Sequence, residues 1–250
     1  MYKSLNKLFA KSELWFALIW IGIYCVVNSL ANPISDAVGI DSSATLVLNG
    51  AMTVFMFSWI RQRELLPYFG FCKPQLPPSR FLWYIPLLIF VSRNLWGGFT
   101  CNLPAVDTIF YILNMFCVGF LEEMIFRGFL FKALAKDGTK SAIIISSITF
   151  GIGHILNLFN GSGMELVENL CQIVGAIACG FLFVIIFHRG GTLIPCIVAH
   201  SVNNAISVFG NEASLSVQMR IGMTATIIVI VVAYACILTK TLPAKSDQQI

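Results

Sequence analysis

The stretch GFLEEMIFRGFLF, residues 119–131, places three ionisable side chains inside a hydrophobic run. Glu122 and Glu123 are adjacent, and Arg127 follows Glu123 by four positions. On a helix this spacing puts Glu123 and Arg127 on one face, where they can form an ion pair. Glu122 is rotated by about 100° and lacks that partner. We therefore expect Glu122 to face a different group in the folded protein.

The composition of the chain predicts a membrane protein. Hydrophobic residues make up 57% of the 250 residues and charged residues 11%, about half the charged share of a soluble domain. Apolar runs of roughly 17 to 25 residues, long enough to cross a bilayer, recur along the chain. We predict one all-α domain, residues 1–250, a polytopic membrane helix bundle of about eight transmembrane helices. The candidate spans are residues 14–31, 44–60, 81–97, 106–131, 141–159, 168–187, 192–209 and 221–239.

The distribution of charge predicts the orientation of these helices. Cations cluster before the first span, in the even-numbered loops and after the last span: Lys3, Lys7, Lys11, Arg61, Arg63, Lys73, Arg80, Lys132, Lys136, Lys140, Arg189, Lys240 and Lys245. The odd-numbered loops carry Asp36, Asp41, Glu165, Glu168 and Glu212, with Arg220 as their cation. Because cytosolic loops are enriched in Lys and Arg, we predict that both termini are cytosolic. We expect the bilayer to be a bacterial plasma membrane.

The first span also has features of a cleavable signal peptide. Lysines precede it, and it ends in SLA at residues 29–31. Its length and the presence of Trp15 and Trp20 favour an uncleaved helix. Cleavage would remove one span and leave the predicted orientation of the others unchanged.

Polar side chains inside other spans are candidates for a common site. His154 lies in the fifth span, and His200 and Asn204 lie four residues apart in the seventh. Each could instead make a structural hydrogen bond between helices. At about 1.5 Å of helix per residue, however, Glu122, His154, His200 and Asn204 come to similar depths, slightly to the cytosolic side of the midplane. This shared depth predicts a common cavity, because intramembrane ionisable groups usually face a partner or water.

The residue types of this set suit the hydrolysis of a carbonyl compound by water. Glu122 could act as the general base, and His154 could hold the attacking water. His200 and Asn204 could donate hydrogen bonds to the oxyanion, while Glu123 and Arg127 brace the helix. Glu122, His154 and His200 are also ligand types that suit zinc. A glutamate-activated water, with no cofactor required, and a zinc-bound water therefore both remain open.

Three motifs give the chain a family resemblance. EEMIFR (122–127), FGIGH (150–154) and HSVNN (200–204) match EExxxR, FxxxH and HxxxN patterns. In order and spacing they resemble the CAAX protease and bacteriocin-processing family of intramembrane proteases. That family includes type II CAAX prenyl endopeptidases and bacterial abortive-infection or bacteriocin self-immunity proteins. The resemblance covers residues 106–209 as a catalytic core.

The resemblance implies specific roles and a direction of access. Glu122 would be the base, with His154, His200 and Asn204 as the other site residues, in a cavity open to the cytosol. We expect an intramembrane endopeptidase that cuts a peptide or membrane protein near the cytosolic face. Its partners would be this substrate and the lipid bilayer, and no nucleic acid. The alternatives are a non-catalytic bacteriocin self-immunity or membrane binding protein and, third, a proton-coupled transporter, for which inverted repeats are missing from the sequence.

Overall fold

The structure is a computed structural model that describes residues 2–159 and 164–243, apart from the side chain of Glu212. Within these ranges the chain forms helices and turns and no β-strand. The predicted all-α bundle is therefore confirmed. Lys245, one of the cations used to place the C-terminus in the cytosol, lies outside the described residues.

The described residues contain ten α-helices in chain order. These are α1 (Lys3–Lys11), α2 (Glu13–Val38), α3 (Ser43–Gln62), α4 (Ile85–Ser92), α5 (Ala105–Glu123), α6 (Lys132–Ala135), α7 (Thr139–Gly153), α8 (Leu166–Gly190), α9 (Ile194–Ile206) and α10 (Val217–Thr241). A π-helix at Met124–Phe131 joins α5 to α6. Short 3-10 helices lie at Pro78–Tyr84, Arg93–Leu95, His154–Leu158, Ser207–Phe209 and Glu212–Ser214.

Six helical segments among the described residues are long and apolar enough to cross a membrane. They are Glu13–Val38, Ser43–Gln62, Ala105–Ala135, Thr139–Leu158, Leu166–Gly190 and Val217–Thr241. The predicted spans at 81–97 and 192–209 are shorter helices, so the count of eight is not confirmed. Ahead of α4, three consecutive residues (Leu82, Trp83 and Tyr84) have positive φ values of 49°, 53° and 58°. This left-handed backbone interrupts an apolar run that hydropathy alone marks as continuous.

One end of the bundle, named here the basic end, carries most of the lysines and arginines. At this end Lys136 contacts Glu13 at 2.7 Å, and the backbone N–H of Gln75 donates to the carbonyl of Gly190 at 3.0 Å. Such contacts tie the inter-helix segments into one layer. The basic end comprises α1, the segment at 63–84, the turns at 136–138 and 191–193, and the C-terminal end of α10.

The opposite end, named here the acidic end, is joined by its own contacts. The backbone N–H of Thr100 donates to the carbonyl of Phe209 at 2.9 Å, and Arg220 pairs with Glu168 at 2.8 Å. The acidic end comprises the turn at 39–42, the segment at 93–104, residues 164–165 and the segment at 207–216. The predicted odd-numbered loops therefore meet at one end and the even-numbered loops at the other.

Buried aromatic rings fill the bundle between the level of Glu122 and the basic end. The cluster named here the aromatic floor consists of Phe16, Trp59, Phe69 and Phe129, each at most 2% exposed. The ring of Phe129 lies 4.9 Å from Phe16, 5.2 Å from Phe69 and 6.3 Å from Trp59. Edge-to-face packing at these distances adds to the stabilisation from buried area. The basic half of the bundle interior is consequently packed with side chains.

Close packing of α5 against α9 depends on Gly119. A Cβ at this position would overlap the side chain and backbone of Ser201. The absence of a side chain lets the two helix backbones approach, as small residues do in membrane bundles. Glu123 is one turn beyond Gly119, and His200 precedes Ser201, so this contact sets the distance between two site residues.

We expect Gly119→Ala to destabilise the folded protein by about 1–3 kcal/mol, because the added methyl group overpacks the α5–α9 contact. Gly50→Ala is the matched control, since a Cβ at Gly50 meets no atom within 4 Å. Thermal unfolding of both variants in detergent measures the effect. Equal midpoints for Gly119→Ala and Gly50→Ala would contradict the assigned packing.

Candidate active site

The ion pair predicted at positions 123 and 127 is present and buried. Arg127 Nη1 lies 3.1 Å from Glu123 Oε1, with side-chain exposures of 1% and 0%. The guanidinium group also lies 4.1 Å from the ring centroid of Phe150. Neither Nη atom makes a directed hydrogen bond within the described residues. The pair therefore acts mainly through charge and through the cation–π contact with α7.

His200 lies between the two adjacent carboxylates. Its Nδ1 is 2.7 Å from Glu123 Oε1, and its Nε2 is 3.5 Å from Glu122 Oε2. Since a carboxylate accepts hydrogen bonds, we infer that Nδ1 carries a hydrogen and donates it to Glu123. Nε2 is thereby directed at Glu122. One imidazole on α9 thus holds the two carboxylates at the end of α5.

Glu122 has a second partner that the motifs do not contain. The hydroxyl group of Tyr24, on α2, donates a hydrogen bond of 2.7 Å to Glu122 Oε1. The Glu122 side chain is 13% exposed, and its Oε2 is buried on the side of His200. Sequence reasoning missed Tyr24. The only available signal was a tyrosine inside an apolar span, whose hydroxyl group needs a partner.

A polar cavity of about 670 Å³ connects the predicted site residues. Glu122, His154 and Asn204 line it, and Tyr24 does so as well. His200 is not among the lining residues, since it lies behind Glu122 and is 7% exposed. The structure therefore brings all four predicted residues together but places three of them, and not His200, in the common cavity.

His154 begins the 3-10 turn that ends the α7 segment. Its Nδ1 lies 3.2 Å from the carbonyl oxygen of Phe150, so we infer that Nδ1 donates to that carbonyl. This tautomer leaves Nε2 as a proton acceptor. The amide group of Asn169 donates to the backbone carbonyl of His154 at 2.8 Å. These two contacts hold the imidazole at the cavity wall.

Asn204 lies in a chain of hydrogen-bonded amides at the cavity wall. The Nδ2 of Asn203 donates to the Oδ1 of Asn204 at 3.1 Å, and Asn94 Nδ2 donates to the Asn203 carbonyl at 2.5 Å. Because the Oδ1 of Asn204 accepts a hydrogen bond, its Nδ2 group remains available as a donor towards the cavity. The sequence analysis predicted Asn204 as a site residue. Asn94, which donates to Asn203, lies outside the motifs.

Residues 104–206 match a family model described as Type II CAAX prenyl endopeptidase Rce1-like. The stretch is similar to this family, and we refer to it by that similarity as the Rce1-like domain. The match confirms the resemblance that the three motifs predicted, and it contains Glu122, Glu123, Arg127, His154, His200 and Asn204. It implies peptidase activity in an integral membrane protein. No curated protein and no solved structure matches the chain.

Helices outside the Rce1-like domain complete the cavity through a second amide network. Asn49 Nδ2 donates to Asn28 Oδ1 at 3.0 Å and to Asn114 Oδ1 at 2.9 Å. The three amides join α2 and α3 to α5, the first helix of the Rce1-like domain. Asn28 and Asn114 line the cavity. The wall facing the motif residues is therefore built by α2 and α3, for which the sequence analysis found no resemblance.

The cavity of the Rce1-like domain reaches the surface at the acidic end. Asp36 and Asp41, which line it there, are exposed. None of the lining residues comes from the segments of the basic end. The sequence analysis predicted both a cytosolic basic end and a cavity open to the cytosol. These two predictions are incompatible, because the cavity opens opposite the basic end.

The zinc alternative can be tested against the positions of the candidate ligands. Among the described residues, no three His, Cys, Asp or Glu side chains come together in a way that could hold a metal ion. In particular, both ring nitrogens of His200 face carboxylates, and Nδ1 of His154 faces a carbonyl group. In this arrangement Glu122, His154 and His200 do not fit a three-ligand zinc site.

We expect Arg127→Ala to lower the free energy of unfolding by about 3 kcal/mol, because it leaves the Glu123 carboxylate buried without its cation. Lys136→Ala is the matched control, since the Lys136–Glu13 pair has a lysine that is 54% exposed and such pairs contribute at most about 1 kcal/mol. Thermal or denaturant unfolding in detergent compares the two. A normal stability with lost activity would instead place Arg127 in the chemistry.

Proposed function

We propose that the protein is an intramembrane endopeptidase that hydrolyses a peptide bond with a water molecule activated by Glu122. The observation that carries this proposal is the placement of the Glu122 carboxylate in a polar cavity beside His154 and Asn204. A charged carboxylate inside the membrane is energetically costly, so its presence there indicates a functional role. Peptidase activity, implied by the Rce1-like match, supplies that role.

The first step is attack of water on the scissile carbonyl. Water enters the cavity and lies between Glu122 and His154. As its oxygen bonds to the carbonyl carbon, one proton passes to the Glu122 carboxylate, which acts as general base. His154 holds the water through its acceptor nitrogen, Nε2. The hydrogen bond from Tyr24 keeps the Glu122 carboxyl group oriented during this transfer.

The second step is collapse of the tetrahedral intermediate. The carbonyl oxygen carries a negative charge, and the Asn204 amide donates a hydrogen bond to it, which lowers the energy of the transition state. The C–N bond then breaks, and the proton held by Glu122 passes to the leaving amine. Glu122 returns to its ionised form, so atoms and charges balance over the cycle.

Glu123, Arg127 and His200 are assigned positioning roles in this proposal. His200 was expected to donate to the oxyanion, but its two nitrogens face Glu123 and Glu122 instead. It therefore sets the distance between α9 and the Glu122 carboxylate from the buried side. Arg127 also lies beside Glu123 and lowers the repulsion between the two adjacent carboxylates.

We expect Glu122→Gln to abolish cleavage and Asn204→Ala to retain a measurable residual rate of cleavage. Gln cannot accept the proton of water, whereas loss of one oxyanion donor typically lowers the rate by about 10²–10³. The measurement compares the peptides of membranes that contain the wild-type protein or a variant. Glu165→Gln, the same change at an exposed position that does not line the cavity, is the control.

This comparison separates a peptidase from a binding protein. A protein that acts only by binding a bacteriocin or another partner would keep its phenotype in Glu122→Gln, because the shape of the side chain is preserved. Unchanged membrane peptides in wild-type and Glu122→Gln cells, together with an unchanged phenotype, would overturn the peptidase assignment.

We propose that the reaction requires no metal ion. Purified protein should then be active without stoichiometric zinc, and chelators should leave the rate unchanged. The zinc content, measured by elemental analysis, should be the same in wild type, His154→Ala and His200→Ala. If the active wild type holds about one equivalent of zinc and both histidine variants lose it, the attacking water is bound to the metal and is not activated by Glu122 alone.

A further inference from the structure

We propose that the substrate enters from the acidic end of the bundle, on the side of the membrane opposite the cytosol, and that it is an unprenylated, polar peptide segment. This inference rests on the proposed peptidase function and adds its direction and substrate class. It departs from the prenyl endopeptidases named in the family description and from the cytosolic opening that the resemblance implies.

The cavity leads from Glu122 to the acidic end. From Glu122 it continues along the half of α2 that contains Asp36 and along the half of α5 that begins at Ala105. It also follows the end of the α7 segment, the start of α8 and the end of α9. All these helix ends belong to the acidic end. A substrate can therefore reach Glu122 from the acidic end without displacing any helix that the structure describes.

Packed side chains close the route from Glu122 to the basic end. The aromatic floor separates Glu122 from the basic end, and its four side chains are fully packed. Below it, the Leu193 N–H and the Thr192 hydroxyl both donate to the Gly70 carbonyl, at 3.0 and 3.1 Å. A Cβ at Gly70 would overlap the ring of Phe187 and the Leu193 backbone. Entry from this end would require a packed layer to open.

The distribution of lysines and arginines assigns the two ends to sides of the membrane. Among the lysines and arginines that the structure describes, only Arg93 and Arg220 lie at the acidic end. Arg127 is inside the bundle, and all the others lie at the basic end. Because cytosolic segments carry the excess of Lys and Arg, the basic end faces the cytosol. The mouth of the cavity consequently faces away from it.

The side chains that line the cavity indicate the chemistry of the substrate. The cavity is rich in side-chain amides, among them Asn28, Asn32, Asn94, Asn114, Gln172 and Asn204. Amides can pair with the N–H and C=O groups of an extended peptide backbone. A prenyl chain offers no hydrogen bond, so placing it here would desolvate these amides without compensation. The cavity lining therefore favours a polar peptide over a prenylated one.

Labelling of cysteines tests the direction of access independently of activity. Cys25 lines the cavity and is half-buried, and Asn32→Cys adds a second thiol nearer the mouth. Lys136→Cys reports on the basic end. A membrane-impermeant maleimide is added to right-side-out or inverted membrane vesicles, and mass spectrometry reads each site. We expect Cys25 or Asn32→Cys to react in right-side-out vesicles and Lys136→Cys in inverted ones.

The opposite labelling pattern overturns the inference, as does a failure of both cavity thiols to react from the outer side. Thermal unfolding of Asn32→Cys and Lys136→Cys beside the wild type checks that both labelled variants remain folded. Each of these outcomes is read without a substrate, so none depends on the proposed peptidase activity.

Cleavage in oriented proteoliposomes tests the substrate class. A random peptide library is added outside the vesicles, with and without a farnesylated cysteine. We expect cleavage of unprenylated peptides from the acidic end, with no increase on farnesylation. Faster cleavage of farnesylated peptides, or cleavage only from the basic end, overturns the inference and leaves the peptidase standing. Labelling as expected without cleavage of any peptide by wild type overturns the proposed function instead.

Discussion

The Glu123 carboxylate, buried between Arg127 and His200, is the interaction on which the arrangement of the site depends. It joins the end of α5 to the π-helix on one side and to α9 on the other. An unpaired carboxylate in this interior would cost several kcal/mol, so the three side chains must stay together. Gly119 makes this possible, since its missing side chain lets α9 approach. The position of the neighbouring Glu122 follows from that constraint.

Adjacent glutamates at the end of one helix thereby serve two different purposes. Glu123 faces into the bundle and is neutralised by Arg127, whereas Glu122 is turned towards the cavity and accepts a hydrogen bond from Tyr24. The π-helix that follows carries Arg127 on a widened turn, and such segments are frequent at functional sites. The division of roles results from helix geometry, because consecutive residues point in different directions.

The Rce1-like domain provides only part of the cavity. Its motif residues form one wall, and α2 and α3 form the other through Tyr24 and the amide network of Asn28, Asn49 and Asn114. Buried amides of this kind are stable only when their hydrogen bonds are satisfied. Helices α2 and α3 therefore form part of the site, and they determine which polar groups a bound peptide would contact.

The direction in which the cavity opens brings two predictions from the sequence into conflict. The charge pattern predicts a cytosolic basic end, and the family resemblance implies a cytosolic opening. The aromatic floor shows that the two expectations cannot both hold, because Phe16, Trp59, Phe69 and Phe129 fill the space between Glu122 and the basic end. A cavity that holds water for hydrolysis can reach the surface only where the interior is not packed with apolar side chains.

The sequence by itself determined the helical class, the Glu123–Arg127 pair and the set of polar residues at the site. These features depend on hydropathy, on i,i+4 spacing and on short motifs, all of which are local along the chain. The interruption at Leu82, Trp83 and Tyr84, the seclusion of His200 behind Glu122 and the role of Tyr24 were decided by the tertiary structure. They depend on which helices meet, and Tyr24 and Glu122, separated by 98 positions, come into contact only when the bundle packs.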